Sequence, residues 1–163
     1  MSETTEPLHK NARRVVDAAA ALGLDLTVRA FPEGTRTADD ADGPSGVGVG
    51  QIVKSLVFLA DDAPVVALVS GSNQLDEAKL AAAAGASSTG RATAEQVREA
   101  TGYPVGGVPP LGHATPLRTF VDEDLLTHDE VWAAAGTPHL NFAIRSAELV
   151  RVTGGTVCDL RRA

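Results

Sequence analysis

The run Gln51-Ile52-Val53-Lys54-Ser55-Leu56-Val57-Phe58-Leu59 is an almost continuous apolar segment of strand-forming residues with one ammonium group at its centre. β-Branched and aromatic side chains pack well on a pleated surface, and the run is short for a helix, so it reads as a buried strand. Lys54 is the anomaly. A lysine among apolar neighbours must reach water, find an anionic partner or lose its proton. A strand-end lysine reaching solvent and a lysine held for chemistry both remain open from this run alone.

Working outward, Asp61-Asp62 marks a turn and residues 64–70 read as a second buried strand, so the pair forms a hairpin. Upstream, Leu8, Ala12, Val15, Val16, Ala19 and Leu22 have helical spacing that closes at Gly23. Leu24, Leu26, Val28 and Ala30 then alternate with polar residues as a half-buried strand does, ending at Pro32. Residues 33–50 are loop-rich. Their Gly46-Val47-Gly48-Val49-Gly50 run lacks the dinucleotide-binding context, because an apolar strand follows it instead of preceding it.

Downstream, residues 75–84 predict a helix stopped by Gly85, and 87–89 a short extended piece. Thr93 and Gln96 have the spacing of a capping box opening a helix that ends near Gly102. Residues 102–116 hold too many glycines and prolines for regular structure. A strand at 117–121, a helical turn at 122–126 and an extended piece at 130–134 follow. His139 to Ile144 alternate, with Leu140, Phe142 and Ile144 toward the core and His139 and Asn141 on the other face. Ser146 is placed to cap a last helix through Val152, and 156–160 closes with a strand. These elements predict one mixed α/β domain over residues 1–163, with six or seven strands and four or five helices.

Composition narrows the function. At 163 residues, 44% hydrophobic and 21% charged, the chain has the makings of one core and lacks the composition of a disordered segment. No apolar run approaches the roughly 20 residues of a membrane span. The polar N-terminus carries no secretory signal and Cys158 is the single cysteine, so a cytoplasmic protein without an internal disulfide is expected. The net charge of −7 argues against gripping long stretches of nucleic-acid backbone, yet allows one or two contacts to the end of a strand.

Familiar catalytic motifs are missing: no P-loop, nucleophile elbow or His-Glu-x-x-His occurs. His9, His113, His128 and His139 lie too far apart in sequence to suggest a metal site, and Cys158, a nucleophile in principle, reads instead as a structural small hydrophobe in an apolar strand without a local basic neighbour. No cofactor is implied. What remains is Lys54 and the loop Thr101-Gly102-Tyr103-Pro104-Val105-Gly106-Gly107-Val108-Pro109-Pro110-Leu111-Gly112-His113. Glycines let a ligand approach backbone N–H groups, and prolines keep such donors aimed, which suits stabilisation of an oxyanion. A plain irregular connection uses the same residues.

The lysine strand, Leu75-Asp76 ahead of a helix, the Thr101 to Gly112 loop and Ala135-Gly136 ahead of His139-Leu140-Asn141 together resemble the YbaK/EbsC family. That family is related to the inserted editing domain of bacterial prolyl-tRNA synthetase, and the resemblance covers residues 8–160. It implies a strongly curved, barrel-like mixed sheet surrounded by helices. It also implies a free-standing, trans-editing deacylase that hydrolyses mischarged aminoacyl-tRNA, releasing a small amino acid such as cysteine, alanine, serine or proline. By this resemblance Lys54 and the backbone of Gly106 and Gly107 are catalytic, within a Gly-x-x-x-Pro motif ending at Pro110, and Pro110, His139 and Asn141 bind substrate. Asn141 stands where the cysteine-specific branch has aspartate. The acceptor end of aminoacyl-tRNA is the expected partner, with a synthetase or elongation factor supplying delivery and no membrane involved. A non-catalytic module that binds tRNA ends or a synthetase, and a hydrolase of other small activated esters, are the alternatives.

Overall fold

The computed structural model describes residues 9–30 and 48–162. The expected end of the first strand at Pro32 and most of the irregular segment at 35–50 lie outside the described residues. The lysine run forms β2 (Val53–Ala60), which pairs along its whole length with β3 (Ala63–Ser70). Asp61 and Asp62 join them with φ of 49° and 74°, the doubly positive backbone of a two-residue hairpin turn whose twist matches the strands.

The parallel partner of β3 is β5 (Arg118–Asp122), itself paired in parallel with β8 (Thr156–Cys158). A short strand, β4 (Thr89–Arg91), covers β2 only at Phe58–Ala60. The five-stranded order is therefore β4-β2-β3-β5-β8. A second sheet places β7 (Leu140–Arg145) between β1 (Val28–Ala30) and β6 (Glu130–Ala134), all antiparallel. Among the described residues there are thus eight strands against the six or seven expected; the extended piece expected at 87–89 lies at 89–91, and both it and the closing strand at 156–158 are three-residue sheet edges.

The barrel-like sheet implied by the resemblance is not present. The two sheets meet at an isolated parallel bridge between Ile52 and Trp132, and neither closes on itself. The large sheet ends in three-residue strands at both edges, too short to carry a ladder round to the far side. A mixed sheet is correct, since β2, β3 and β4 run antiparallel while β3, β5 and β8 run parallel.

Both faces of the large sheet are covered. Val53, Val57, Val66, Leu68 and Val121 pack with Val15 of α1 (Lys10–Ala21), Val97 of α3 (Ala94–Thr101), Leu149 of α4 (Ser146–Thr153) and Phe142. On the opposite face Phe58, Val65, Ala67, Val69 and Phe120 pack with Leu80 of α2 (Glu77–Ala84) and Leu160. Burial on both faces is why β3 reads as an unbroken apolar run, each such side chain contributing roughly 1.5–3 kcal/mol. The caps follow the sequence for two helices. Thr93 and Gln96 exchange side-chain and backbone hydrogen bonds at the start of α3, and Gly85 ends α2 at φ 70°. Ser146 is not a cap: it lies inside α4 and donates its hydroxyl to the His128 carbonyl at 2.6 Å, while Arg145 occupies the capping position.

Candidate active site

Because the pairing of β4 stops at Phe58, Ile52 and the stretch of β2 from Val53 to Val57 are left as a wall of a cavity of about 310 Å³. Lys54 and Ser55, whose side chains leave a strand on opposite faces, both line it, so the cavity wraps around the edge of β2. The other walls are Arg91 of β4, Val105 to Gly106 and Val108 of the glycine-proline loop, and Ala134, Pro138 and Asn141 where β6 passes to β7. The lining is mostly apolar with a few convergent polar groups, the usual make-up of a small-molecule site.

Lys54 is half-buried and donates from Nζ to the Asn73 carbonyl at 2.5 Å. Burial pushes its pKa below the ordinary lysine value, and the Asp122 carboxylate partly offsets that. An ammonium with three donors and one such bond retains hydrogen-bonding capacity toward a ligand.

The loop after α3 is shaped by its own hydrogen bonds. Thr101 Oγ1 donates to the Val97 carbonyl at 2.7 Å and accepts from Tyr103 N–H at 3.0 Å, and Ala114 N–H donates to the Thr101 carbonyl at 2.8 Å. Tyr103, fully buried, donates its hydroxyl to the Gly112 carbonyl at 3.0 Å and carries the Arg14 guanidinium over its ring at 4.5 Å. A ring nitrogen of His113 lies 2.7 Å from the Pro109 carbonyl, and burial holds that histidine's pKa below its usual value.

Gly106, at φ 90°, is exposed on the cavity wall in a conformation that favours glycine. Gly107 is buried one residue behind it. Its N–H donates to the Pro104 carbonyl at 3.0 Å, and a Cβ there would lie 2.8 Å from Thr137 Cα. The close approach of the loop to the β6–β7 connection therefore depends on glycine, while the Gly107 amide is engaged inside the loop.

Asn141 is fixed from both sides, its strand neighbours being Arg29 of β1 and Ala134 of β6. Its Nδ2 and the Ser55 Oγ are buried polar atoms without a hydrogen-bond partner, and both residues line this one cavity. A buried unpaired polar atom costs roughly 1–3 kcal/mol, so two on one cavity wall mark a surface suited to a polar ligand.

Of the residues singled out in the sequence, Lys54, Gly106 and Asn141 come together. Gly107 supports the wall from behind, His139 is exposed just before β7, and Pro110 is buried against a different hollow beside α1 and α4. Ser55, Arg91, Asn73 and Asp122 were not singled out. Ser55 sat beside the conspicuous lysine in an apolar run and was the one available signal; the other three are joined to the site only by the fold. Burial and the carboxylates of Asp122, Asp159 and Glu123 push the Cys158 thiol up, away from a reactive thiolate. Among the described residues no group of three His, Cys, Asp or Glu side chains could hold a metal, and no helix is long and apolar enough to cross a membrane.

Comparisons with known proteins point to one family. The model of the aminoacyl-tRNA editing domain matches residues 32–152. A proline–tRNA ligase of Nitratidesulfovibrio vulgaris (strain DP4) is 42% identical over 118 residues, which is 72% of this chain and 20% of the ligase. The chain thus spans about a fifth of the length of that relative. EbsC of Enterococcus faecalis, a candidate Cys-tRNA(Pro)/Cys-tRNA(Cys) deacylase, is 26% identical with 80% of each chain covered. The crystal structure of a candidate trans-editing enzyme for prolyl-tRNA synthetase superposes with a TM-score of 0.89 at 47% identity, covering 96% of this chain and 100% of the other. The match of the family model over more than half of the chain, carried by a structure that aligns almost end to end, places this protein in the aminoacyl-tRNA editing domain family, among its YbaK/EbsC-like members.

Proposed function

We propose that this chain, acting as a single domain in the cytoplasm, hydrolyses the ester that joins a small amino acid to the 3′ end of a mischarged tRNA. The observation that carries this reading is the meeting, in one small cavity, of an ammonium group, a glycine-shaped backbone wall and two partnerless polar atoms. The mostly apolar cavity accepts a small side chain such as that of cysteine, alanine, serine or proline. Lys54 binds the terminal phosphate or polarises the ester carbonyl, the Gly106 backbone faces the developing oxyanion, and Ser55 and Asn141 contact the aminoacyl group.

An aminoacyl ester is already activated, so positioning and electrostatic stabilisation suffice without a protein nucleophile. Water adds its oxygen to the carbonyl carbon, the tetrahedral oxyanion collapses, and the bond from carbonyl carbon to ribose oxygen breaks. The departing oxygen takes a proton, with the neighbouring ribose hydroxyl assisting, and the products are the free amino acid and uncharged tRNA. A synthetase or elongation factor delivers the substrate, since the acidic chain itself offers few contacts to the tRNA body.

The test is release of labelled amino acid from tRNAs carrying alanine, serine, cysteine or proline. Hydrolysis of one or a few members is expected. No release from any of them, together with retained binding of the tRNA end, would replace the reading by that of a binding module.

A further inference from the structure

Strands β3 and β5 run in parallel, so their C-terminal ends arrive side by side and bring Ser70 to Asn73 against Asp122 to Asp124. Asp122 is completely buried, and its charge is met by N–H donors alone. Its Oδ2 accepts from Ser70 N–H at 3.1 Å and from Asn73 Nδ2 at 2.8 Å, and its Oδ1 accepts from Asp124 N–H at 3.0 Å. The second hydrogen of Asn73 Nδ2 goes to Asp124 Oδ2 at 2.8 Å, and Asn73 N–H donates to the Ser70 carbonyl at 2.9 Å. Asn73 is therefore held at its backbone and at both side-chain donors, and its carbonyl receives Lys54 Nζ.

Burying a carboxylate is costly unless hydrogen bonds meet its lone pairs, and a fold gains little stability from doing so. A direct ion pair with Lys54 would be the simpler use of this charge, but it would draw the ammonium onto the carboxylate and offset its field toward a ligand. The arrangement present separates the two charges by one residue, the backbone carbonyl of Asn73 facing the ammonium and its side-chain amide facing the carboxylate. From this geometry we infer that Asn73, gripped by the carboxylates of Asp122 and Asp124, is a positioning device that aims Lys54 into the cavity and supplies its counter-charge without quenching it. The inference rests on the proposed role of Lys54, and extends the site by three residues on the far side of the sheet edge.

The experiment compares amino acid release from the best mischarged tRNA, over a pH series, by wild type, Lys54→Ala, Asp122→Asn, Asp124→Asn and Asp159→Asn. Among the described residues, the charged groups on the Lys54 side of the site are Asp122 and Asp124 behind Asn73, Arg161 bonded to Asp124 at 3.3 Å, and Arg91 across the cavity. Asp122→Asn is expected to lower kcat about ten- to hundredfold, the usual cost of a misplaced catalytic group, with a smaller change in KM. It should also move the alkaline limb of the profile to lower pH, because the ammonium loses its attractive charge. Asp124→Asn should do the same to a lesser degree, and Asp159→Asn, in a surface pair with Lys79, should change neither.

Wild-type kcat and an unmoved limb in Asp122→Asn, with Lys54→Ala inactive, would overturn the positioning role while leaving the role of Lys54 intact. Full activity in Lys54→Ala would overturn the role of Lys54 and the inference with it. Should Asp122→Asn fail to fold, the half-buried Asp124→Asn decides alone: an unchanged rate and limb overturns the inference, and a loss of rate with a shifted limb supports it.

Discussion

At the scale of single residues, the decisive contact is the hydrogen bond from Lys54 to a backbone carbonyl in place of a carboxylate. With a pKa pushed below the ordinary lysine value, Lys54 is charged at low pH and neutral at high pH. Activity that needs the ammonium should therefore fall as pH rises through that depressed value, and a kcat profile measured on a tRNA ester at short times checks it. Ser55 and Asn141 give a second prediction. Replacing either partnerless group by a matching apolar one, Ser55→Ala or Asn141→Leu, should leave stability unchanged or slightly raised, by up to about 1 kcal/mol, because a buried unpaired group is removed. Aminoacyl-tRNA hydrolysis should fall about tenfold or more, as a site loses a hydrogen bond to its substrate; a urea titration beside the rate assay separates the two effects. His113 supplies a stability test. Its pKa is held down by burial, so the unfolded chain takes up the proton first. Its contribution is fully present above the unfolded histidine value and is lost as pH falls through the folded one. The urea midpoint should therefore drop more on acidification in wild type than in His113→Gln. Lys54 was legible in the sequence because a charge in an apolar run is conspicuous. Asn73 and Asp122 were not, since an asparagine in a turn and an aspartate at a helix start are ordinary, and only the parallel pairing of β3 with β5 gives them a shared task.

At the scale of elements, local signals are legible where they are chemical and less so where they depend on pairing. The capping box of Thr93 and Gln96, the terminating glycines and the Asp61-Asp62 turn all formed as their residue types require. The first strand is shorter than its alternation suggests: Val28–Ala30 is strand, whereas Leu24 to Thr27 show the pattern but find no ladder, because β7 reaches only from Leu140 to Phe142 in that pairing. The hairpin turn permits a paired prediction. Asp62 holds φ 74° and Asp61 φ 49°, yet the Asp61 carboxylate accepts the N–H groups of Ser87 and Ser88 at 2.9 and 3.2 Å. Asp62→Gly should relieve roughly 1 kcal/mol of backbone strain and raise Tm by a few degrees, less whatever glycine loses in chain entropy. Asp61→Gly should fail to gain, since it frees those two donors. Calorimetry on the two variants makes the comparison directly. Gly107→Ala, with its Cβ driven to 2.8 Å from Thr137 Cα, should shift the cavity wall and reduce hydrolysis more than it reduces Tm.

At the scale of the whole molecule, two sheets joined at one bridge leave part of the β2 edge open, and the site occupies that gap. A closed barrel would have paired the same edge and left no room, so the departure from a barrel and the presence of the cavity have one cause. The sequence marks extended pieces at both edges but not how short their ladders are or what they pair with, which is why the class of fold was legible and the closure was not. With a net charge of −7 and, among the described residues, only Lys54 and Arg91 as cations on the cavity wall, few tRNA phosphates are neutralised. The apparent affinity for tRNA should fall with salt at a log–log slope no steeper than about −3, as for one to three phosphate contacts, and filter binding from low to moderate salt measures it. The most direct test of the account remains the role of the ammonium at the centre of β2. Single-turnover release of amino acid from the preferred mischarged tRNA should drop at least about hundredfold in a folded Lys54→Ala variant, with Tm close to wild type. Release within about twofold of wild type by that variant would contradict the account.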